Sequence, residues 1–189
     1  MARPREFEPE IALSTVMDVF WRQGFEGTSM NDIEGATGLK KQSLYRVFGD
    51  KRAMYLAALR HYEETAVNGA LEQLSAPGSA RKRIEGLFKG VLDAVANNDR
   101  RGCFLCNAST DQAQLDPATQ AWVTKMLDRV EEGIKGALNA DATYRNDIKT
   151  RNKAAANILT VYLGLRVLVK AGTPLASLKS TVAQTLSAI

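Results

Sequence analysis

The chain has 189 residues, of which 45% are hydrophobic and 24% charged: one domain by length, or a small domain joined to a moderate one, with enough chain for a sizeable core. No apolar run approaches a membrane span, and the opening residues lack the apolar core of a signal peptide, so a cytoplasmic location is expected by default. A net charge of +4 and a pI near 9.1 are compatible with nucleic acid without requiring it.

In chain order, residues 1–8 read as a polar arm in which Arg3 and Arg5 flank Pro4. Such an arm suits either phosphate or minor-groove contact, or a solvated terminus. Pro9 suits a first helical turn, and Leu13, Val16, Met17 and Phe20 give an apolar stripe that ends at Gly24, with Phe25 as an anchor. Thr28 and Ser29 are capping residues ahead of a short helix whose Met30, Ile33 and Ala36 share one side. Thr37 and Gly38 end it, and Leu39 plugs the turn. Over residues 40–48 the spacing predicts a second short helix with Leu44, Val47 and Phe48 inward. Lys40, Lys41, Gln42, Ser43, Tyr45 and Arg46 are left at its entry and on its outer side. Asp50 caps the helix after it, with Lys51 in the first turn.

The outer set is chemically pointed. Between Gly38 and Arg52 stand Lys40, Lys41, Arg46, Lys51 and Arg52 against Asp50 alone. These cations can neutralise phosphates, while Gln42 and Ser43 offer hydrogen bonds suited to base edges. Two short helices around a glycine-containing turn form the minimum major-groove reader, with the second helix entering by its N-terminal residues. Singly, each residue also fits a solvated corner of a helical protein; in this order they fit a DNA reader better.

The stretch resembles the DNA-binding region of the TetR/AcrR family of transcriptional regulators. The matching residues are Phe20, Gly24, Phe25, Thr28, Ser29, Ile33, Ala36, Gly38, Lys41, Ser43, Leu44, Tyr45, Phe48, Lys51 and Leu56. Gln42 stands where the family often has glycine, and Arg46 where an aromatic residue or histidine is common, which bears on the operator sequence and not on the binding mode. The resemblance implies a DNA-binding unit over residues 1–50 and a ligand-binding and dimerisation unit over 51–189. DNA contacts are expected from Thr28, Ser29, Lys40, Lys41, Gln42, Ser43, Tyr45, Arg46 and Lys51.

Residues 51–74 predict one long helix, with Met54, Tyr55, Ala58, Leu59 and Tyr62 on one face and Ala66, Ala70, Leu71 and Leu74 continuing it. Residues 75–79 are a linker. Ile84, Leu87, Phe88, Val91, Leu92 and Val95 define the next helix. Another runs from Asp116 and Pro117 with Trp122, Met126, Leu127, Val130, Ile134 and Leu138 at spacings of three and four. A helix over about 147–171 is apolar around much of its circumference, and a last one carries Leu175, Leu178, Val182, Leu186 and Ile189. No strand-like alternation is found, so the chain is all-α, in about nine helices. The small residues of the last two helices (Ala155, Ala156, Gly164, Ala171, Ala176 and Ala183) suit a two-fold homodimer interface, as the family does.

The resemblance also implies an effector pocket among the middle helices. Its candidate lining is Phe88, Phe104, Trp122, Met126 and Tyr162, which favours an apolar or aromatic small molecule; the same residues suit plain core. Cys103 and Cys106, the two cysteines, sit in an Arg-Gly-Cys segment like one that opens a body helix in part of the family. A helix N-terminus and adjacent Arg100 and Arg101 would make Cys103 reactive, giving a redox or electrophile sensor as the alternative; buried inert thiols are the plainer reading. His61, the single histidine, has no ligand set around it, so neither metal nor cofactor is expected. No nucleophile–base pair, HExxH or phosphate-cradling loop is present, and the chain does not read as an enzyme.

Overall fold

The structure is a computed structural model that describes residues 8–111 and 116–189; Arg3 and Arg5 lie outside the described residues. Helix α1 (Pro9–Gly27) opens on a proline in its first turn. It packs chiefly on α4 (Lys51–Tyr62), with Phe20 against Tyr55 in an edge-to-face pair at 5.1 Å. Between them, α2 (Met30–Thr37) and α3 (Lys41–Phe48) form the helix–turn–helix. Ile33 and Leu44, both fully buried, root these two short helices in the core. Ala36, expected inward, is exposed, because an eight-residue helix resting on α1 buries only the stripe around Ile33.

Beyond α4 the chain stays helical, with one irregularity. Glu63–Val67 is a π turn leading into α5 (Asn68–Ser75). The buried positions Tyr55, Leu59 and Tyr62 are followed by Val67 and Leu74, so the stripe steps by five across the π turn, where an α-helix would step by three or four. The predicted single helix is there, but its second half turns Val67 inward and leaves Ala66 only half-buried. Helix α6 (Ala80–Ala96), capped by Ser79, packs on α5, α8 (Pro117–Leu138) and α11 (Leu175–Ser187). Helix α10 (Ile148–Lys170) packs mainly on α8. A short α9 (Ala142–Asn146), capped by Asp141, was not anticipated; five residues are too few for a period to declare itself. Counting Lys51–Ser75 as one helix, ten helices and no strand are present among the described residues.

Eight-residue α7 (Phe104–Asp111) occupies the centre, touching α1, α4, α8 and α10. Phe104 is fully buried within an aromatic cluster of Trp21, Tyr55 and Tyr62, at centroid distances of 5.6–6.2 Å. The far end of α7 reaches the tip of α1. Gly24 breaks the regular helix there (φ 75°, ψ 176°), and a Cβ on it would stand 2.7 Å from Asp111 Oδ2. Only glycine meets both the backbone and the space.

Gly24→Ala is therefore expected to destabilise the protein by about 1–3 kcal/mol through strain at a positive φ. The contact with Asp111 is lost as well. An unchanged denaturation midpoint in urea would show that the turn relaxes freely.

Candidate nucleic-acid interface

Helix α3 presents its outer face on a buried pin. Beneath it Leu44 is fully buried, and Phe48 half-buried. Above it Lys40, Lys41, Gln42, Tyr45 and Arg46 are exposed, with Ser43 half-buried at the edge. Lys41 with Tyr45 and Gln42 with Arg46 are each one turn apart, giving two parallel rows. The Lys41 ammonium lies 5.3 Å from the Tyr45 ring centroid. Val47, expected inward, is 40% exposed; the surface under α3 covers only the Leu44 and Phe48 stripe, and Val47 rises beside it. Lys40 supplies no side-chain cap to α3. Glu34 does so from α2, its carboxylate accepting the Lys41 amide at 2.7 Å. That bond sets how α3 leaves the turn.

The other residues chosen from sequence are placed differently. Thr28 is buried; its hydroxyl donates to the Gly24 carbonyl at 2.6 Å and its amide to that of Phe25 at 3.3 Å. Neither group is left for a phosphate, because both close the end of α1. Ser29 is exposed but engaged in a capping box, accepting the Asp32 amide at 3.2 Å and giving its own amide to Asp32 at 2.7 Å. The Ser29 hydroxyl and amide together hold the Asp32 carboxyl below its ordinary range. The Lys51 ammonium sits 4.3 Å over the Phe25 ring, at the foot of α4.

Four ties join this N-terminal region to later helices. Asp111 accepts the Phe25 amide at 2.6 Å, and Asn107 donates to the Trp21 carbonyl at 3.1 Å. The Arg101 guanidinium lies 3.9 Å over the Trp21 ring, paired with Asp18 and Asp99. Arg52 pairs with Asp116, the N-cap of α8, at 2.6 Å. Three of the four depend on residues 99–111.

Near the other end of α7, a cavity of about 500 Å³ opens against α10, lined by Cys103, Cys106, Asn107, Arg166, Val167 and Lys170 among others. Both thiols are free. Cys103 immediately precedes α7, and its carbonyl accepts the Asn107 amide at 3.0 Å. The Tyr62 hydroxyl donates to its sulfur at 3.6 Å. The cation beside the thiols is not one of the neighbouring arginines. Arg100 is spent on the Thr173 carbonyl at 2.7 Å, and Arg101 on its two carboxylates. Arg166 of α10 takes that place, donating to Tyr162 at 2.7 Å and to the Gly102 carbonyl at 3.3 Å. The Cys106 thiol, donating to Cys103, holds the Cys103 thiol well below its usual range against the effect of burial, helped by the Arg166 charge. Cys106, whose proton that bond requires, is pushed up.

The five residues expected to line an effector pocket do not line this cavity. Phe88, Phe104 and Met126 are fully buried, and Tyr162 nearly so, its ring 6.4 Å from that of Phe88. Trp122 is half-buried with its indole N–H on Glu63 at 3.0 Å. They are placed as core. His61 is likewise packed, 2.7 Å from the Ser14 hydroxyl.

Comparison with known proteins adds the family. Residues 12–58 match the sequence profile described as "Bacterial regulatory proteins, tetR family". The HTH-type transcriptional regulator YezE of Bacillus subtilis is 30% identical over 153 residues, 76% of this chain and 79% of YezE. The chain belongs to the TetR/AcrR family. The HTH-type transcriptional repressor ComR of Escherichia coli is 30% identical over 110 residues, 57% of this chain and 52% of ComR. The TetR family regulator CifR, as a cysteine mutant complexed with 26-base-pair operator DNA, superposes with a TM-score of 0.87 at 25% identity, over 99% of each chain. Like its family, this TetR/AcrR chain is a DNA-binding transcriptional regulator and not an enzyme. No described helix is long and apolar enough to cross a membrane.

What sequence reading missed in this TetR/AcrR regulator are the supporting groups: Glu34, Asn107, Asp111 and Arg166. Arg166 alone left a trace, as a lone charge in an apolar run four residues after Tyr162. Among the ties, Arg52–Asp116 is the one most open to a solution test. The Thr119 hydroxyl first, and Arg52 second, bring the Asp116 carboxyl from its ordinary 3.8 down to about 2. A carboxyl with a lowered folded pKa stabilises the fold fully above the unfolded value and loses that contribution as pH falls toward the folded one. The Asp116 contribution is thus expected to be complete above about pH 4 and to vanish toward about pH 2. Carboxyl NMR should give a midpoint near the lower limit, and a midpoint at the ordinary value would remove the tie.

Proposed function

We propose that this regulator is a homodimeric repressor that binds a palindromic operator and is released from it by a small effector. The observation carrying the DNA side is the exposed double row of Lys41, Gln42, Tyr45 and Arg46 on a helix pinned at Leu44. It has the width of one helix face, the cations to neutralise phosphates and the amide to read a base edge. Lys40 and Ser43 flank it. CifR, of like fold, is complexed with double-strand operator DNA, which supports the same docking here. We place the division between DNA-binding and effector-responsive units near residue 50.

Helix α10 supports the dimer. Thr160, Gly164, Val167, Leu168 and Ala171 lie on one exposed face, with Val167 at 55% and Leu168 at 43% exposure, while Ala155 is core. Ala176 and Ala183 of α11 are also exposed. An apolar, small-residue face suits an isologous contact that sets two α3 helices about 34–36 Å apart, one turn of DNA.

The effector is a small molecule that binds one arrangement of α7 better than another, since an equilibrium shifts only by differential affinity. The apolar or aromatic effector expected from sequence gains a polar handle here: the cavity against α7 offers Arg166 and Asn107 beside Val167. One observation favours a second reading, thiol-based sensing, because Cys103 and Cys106 line that same cavity.

Selection of bound fragments from the source genome, followed by anisotropy over a salt series, tests the reading. A preferred palindrome with steep salt dependence is expected, and binding without sequence preference would overturn it. On the selected site, Lys41→Ala or Tyr45→Ala should weaken binding by about 1–3 kcal/mol with helicity unchanged. Val167→Asp should convert dimer to monomer in sedimentation; a dimer that survives it is built on another face.

A further inference from the structure

We propose that Cys103 and Cys106 form a peroxide-reactive dithiol whose oxidation to an intramolecular disulfide displaces α7 and thereby lowers DNA affinity. The chemistry stands on the cavity alone; its readout on DNA rests on the regulator reading above.

Four observations converge on the pair. The two sulfurs stand three residues apart across the start of a helix, and both line a cavity large enough to admit a small organic molecule. Cys103 is buried, yet its sulfur has three polar neighbours: the Cys106 thiol, the Tyr62 hydroxyl and the Arg166 guanidinium. A buried inert cysteine packs against hydrocarbon; a sulfur with a hydroxyl donor on it and a guanidinium charge nearby has its thiolate, the nucleophilic form, favoured. Arg166 is also only partly satisfied, because its Nε is buried without a partner while its other nitrogens hold Tyr162 and Gly102. The lowered thiol of Cys103 attacks, and Cys106, in the first turn of α7, resolves.

The reaction balances with a hydroperoxide as oxidant. The Cys103 thiolate attacks the outer oxygen; an S–O bond forms, the O–O bond breaks, and the leaving alkoxide takes a proton to become an alcohol. Cys106 then attacks the sulfenic sulfur; the S–S bond forms, the S–O bond breaks, and the hydroxide leaves as water with the Cys106 proton. Two thiols and one hydroperoxide give one disulfide, one alcohol and one water.

Mechanical consequence follows from geometry. Cys103 stands just ahead of α7 and its sulfur accepts from Tyr62 of α4 at 3.6 Å, whereas a disulfide brings the two Cβ atoms to about 3.8 Å. Closing the S–S bond draws the Cys103 sulfur to Cys106 and off Tyr62, so the first turn of α7 loses its tie to α4 and shifts. Asn107 and Asp111, one and two turns on, hold the Trp21 carbonyl and the Phe25 amide. A shift of α7 is a shift of the end of α1, on which the helix–turn–helix rests.

The test treats reduced full-length protein with equimolar cumene hydroperoxide, alkylates residual thiols and reads intact mass, with anisotropy on DNA selected by the reduced protein. Loss of both alkylation sites in a monomeric chain on a non-reducing gel is expected, with at least a ~10-fold fall in affinity that dithiothreitol reverses. Cys106→Ser should stop at a dimedone-trapped sulfenic acid on Cys103, and Cys103→Ser should not react. Two alkylated cysteines after peroxide, an intermolecular disulfide, or reaction of the Cys103→Ser variant would overturn the dithiol. A disulfide with unchanged affinity would overturn the transmission through α7. If the reduced protein selects no DNA, the regulator reading fails, while the mass readout still decides the chemistry.

Discussion

The Asp111 carboxylate at the Phe25 amide is the contact on which the arrangement of the molecule turns. A half-buried amide at the broken end of a helix needs an acceptor, and the chain supplies one from a residue 86 positions away. Gly24 makes room for it. Because α7 is only two turns long, the group that satisfies the tip of α1 is rigidly joined to the groups lining the α7–α10 cavity. The aromatic cluster around Phe104 fixes the middle of that connection, since each ring in it is contributed by α1, α4 or α7. Packed aromatic edges leave little freedom for these helices to move independently.

Electrostatics and packing are divided between the two sides of this centre. Toward the DNA-reading face α3 holds no acidic residue to engage Lys41 and Arg46, while Arg52, nearest to α8, is drawn off by Asp116. Toward the cavity the neighbouring arginines are likewise engaged, and the charge that matters comes from across the fold.

Legibility from sequence divided along the same line. The helix–turn–helix was readable because its signals are local: capping residues, a glycine at the turn, cations clustered within fifteen positions and Leu44 placed to anchor them. The long helices were readable from period alone, since α6, α8 and α10 each repeat their apolar residues over many turns. What failed depended on neighbours. Thr28 reads as a cap yet closes α1; Val47 reads as inward yet lies beyond the covered stripe. Phe88, Phe104 and Met126 could not be told from pocket lining, because an aromatic residue at helical spacing looks the same in either role. The partners of Cys103 are Tyr62 and Arg166, 41 and 63 positions away, and no spacing rule joins them.

The π turn at Glu63–Val67 has a consequence for comparing this chain with its relatives. One residue has been added there without lengthening the helix by a matching rise, so everything from Asn68 onward is rotated by about 100° relative to a continuous α-helix. Glu63, in the turn, is held by Trp122 and by Arg129, which anchors the extra residue to α8. A homologue that lacks the turn would carry a one-residue gap inside what otherwise aligns as an unbroken helix. Its buried positions would return to steps of three and four. Such a gap would be a change of length absorbed within a helix, where loops ordinarily take up such changes.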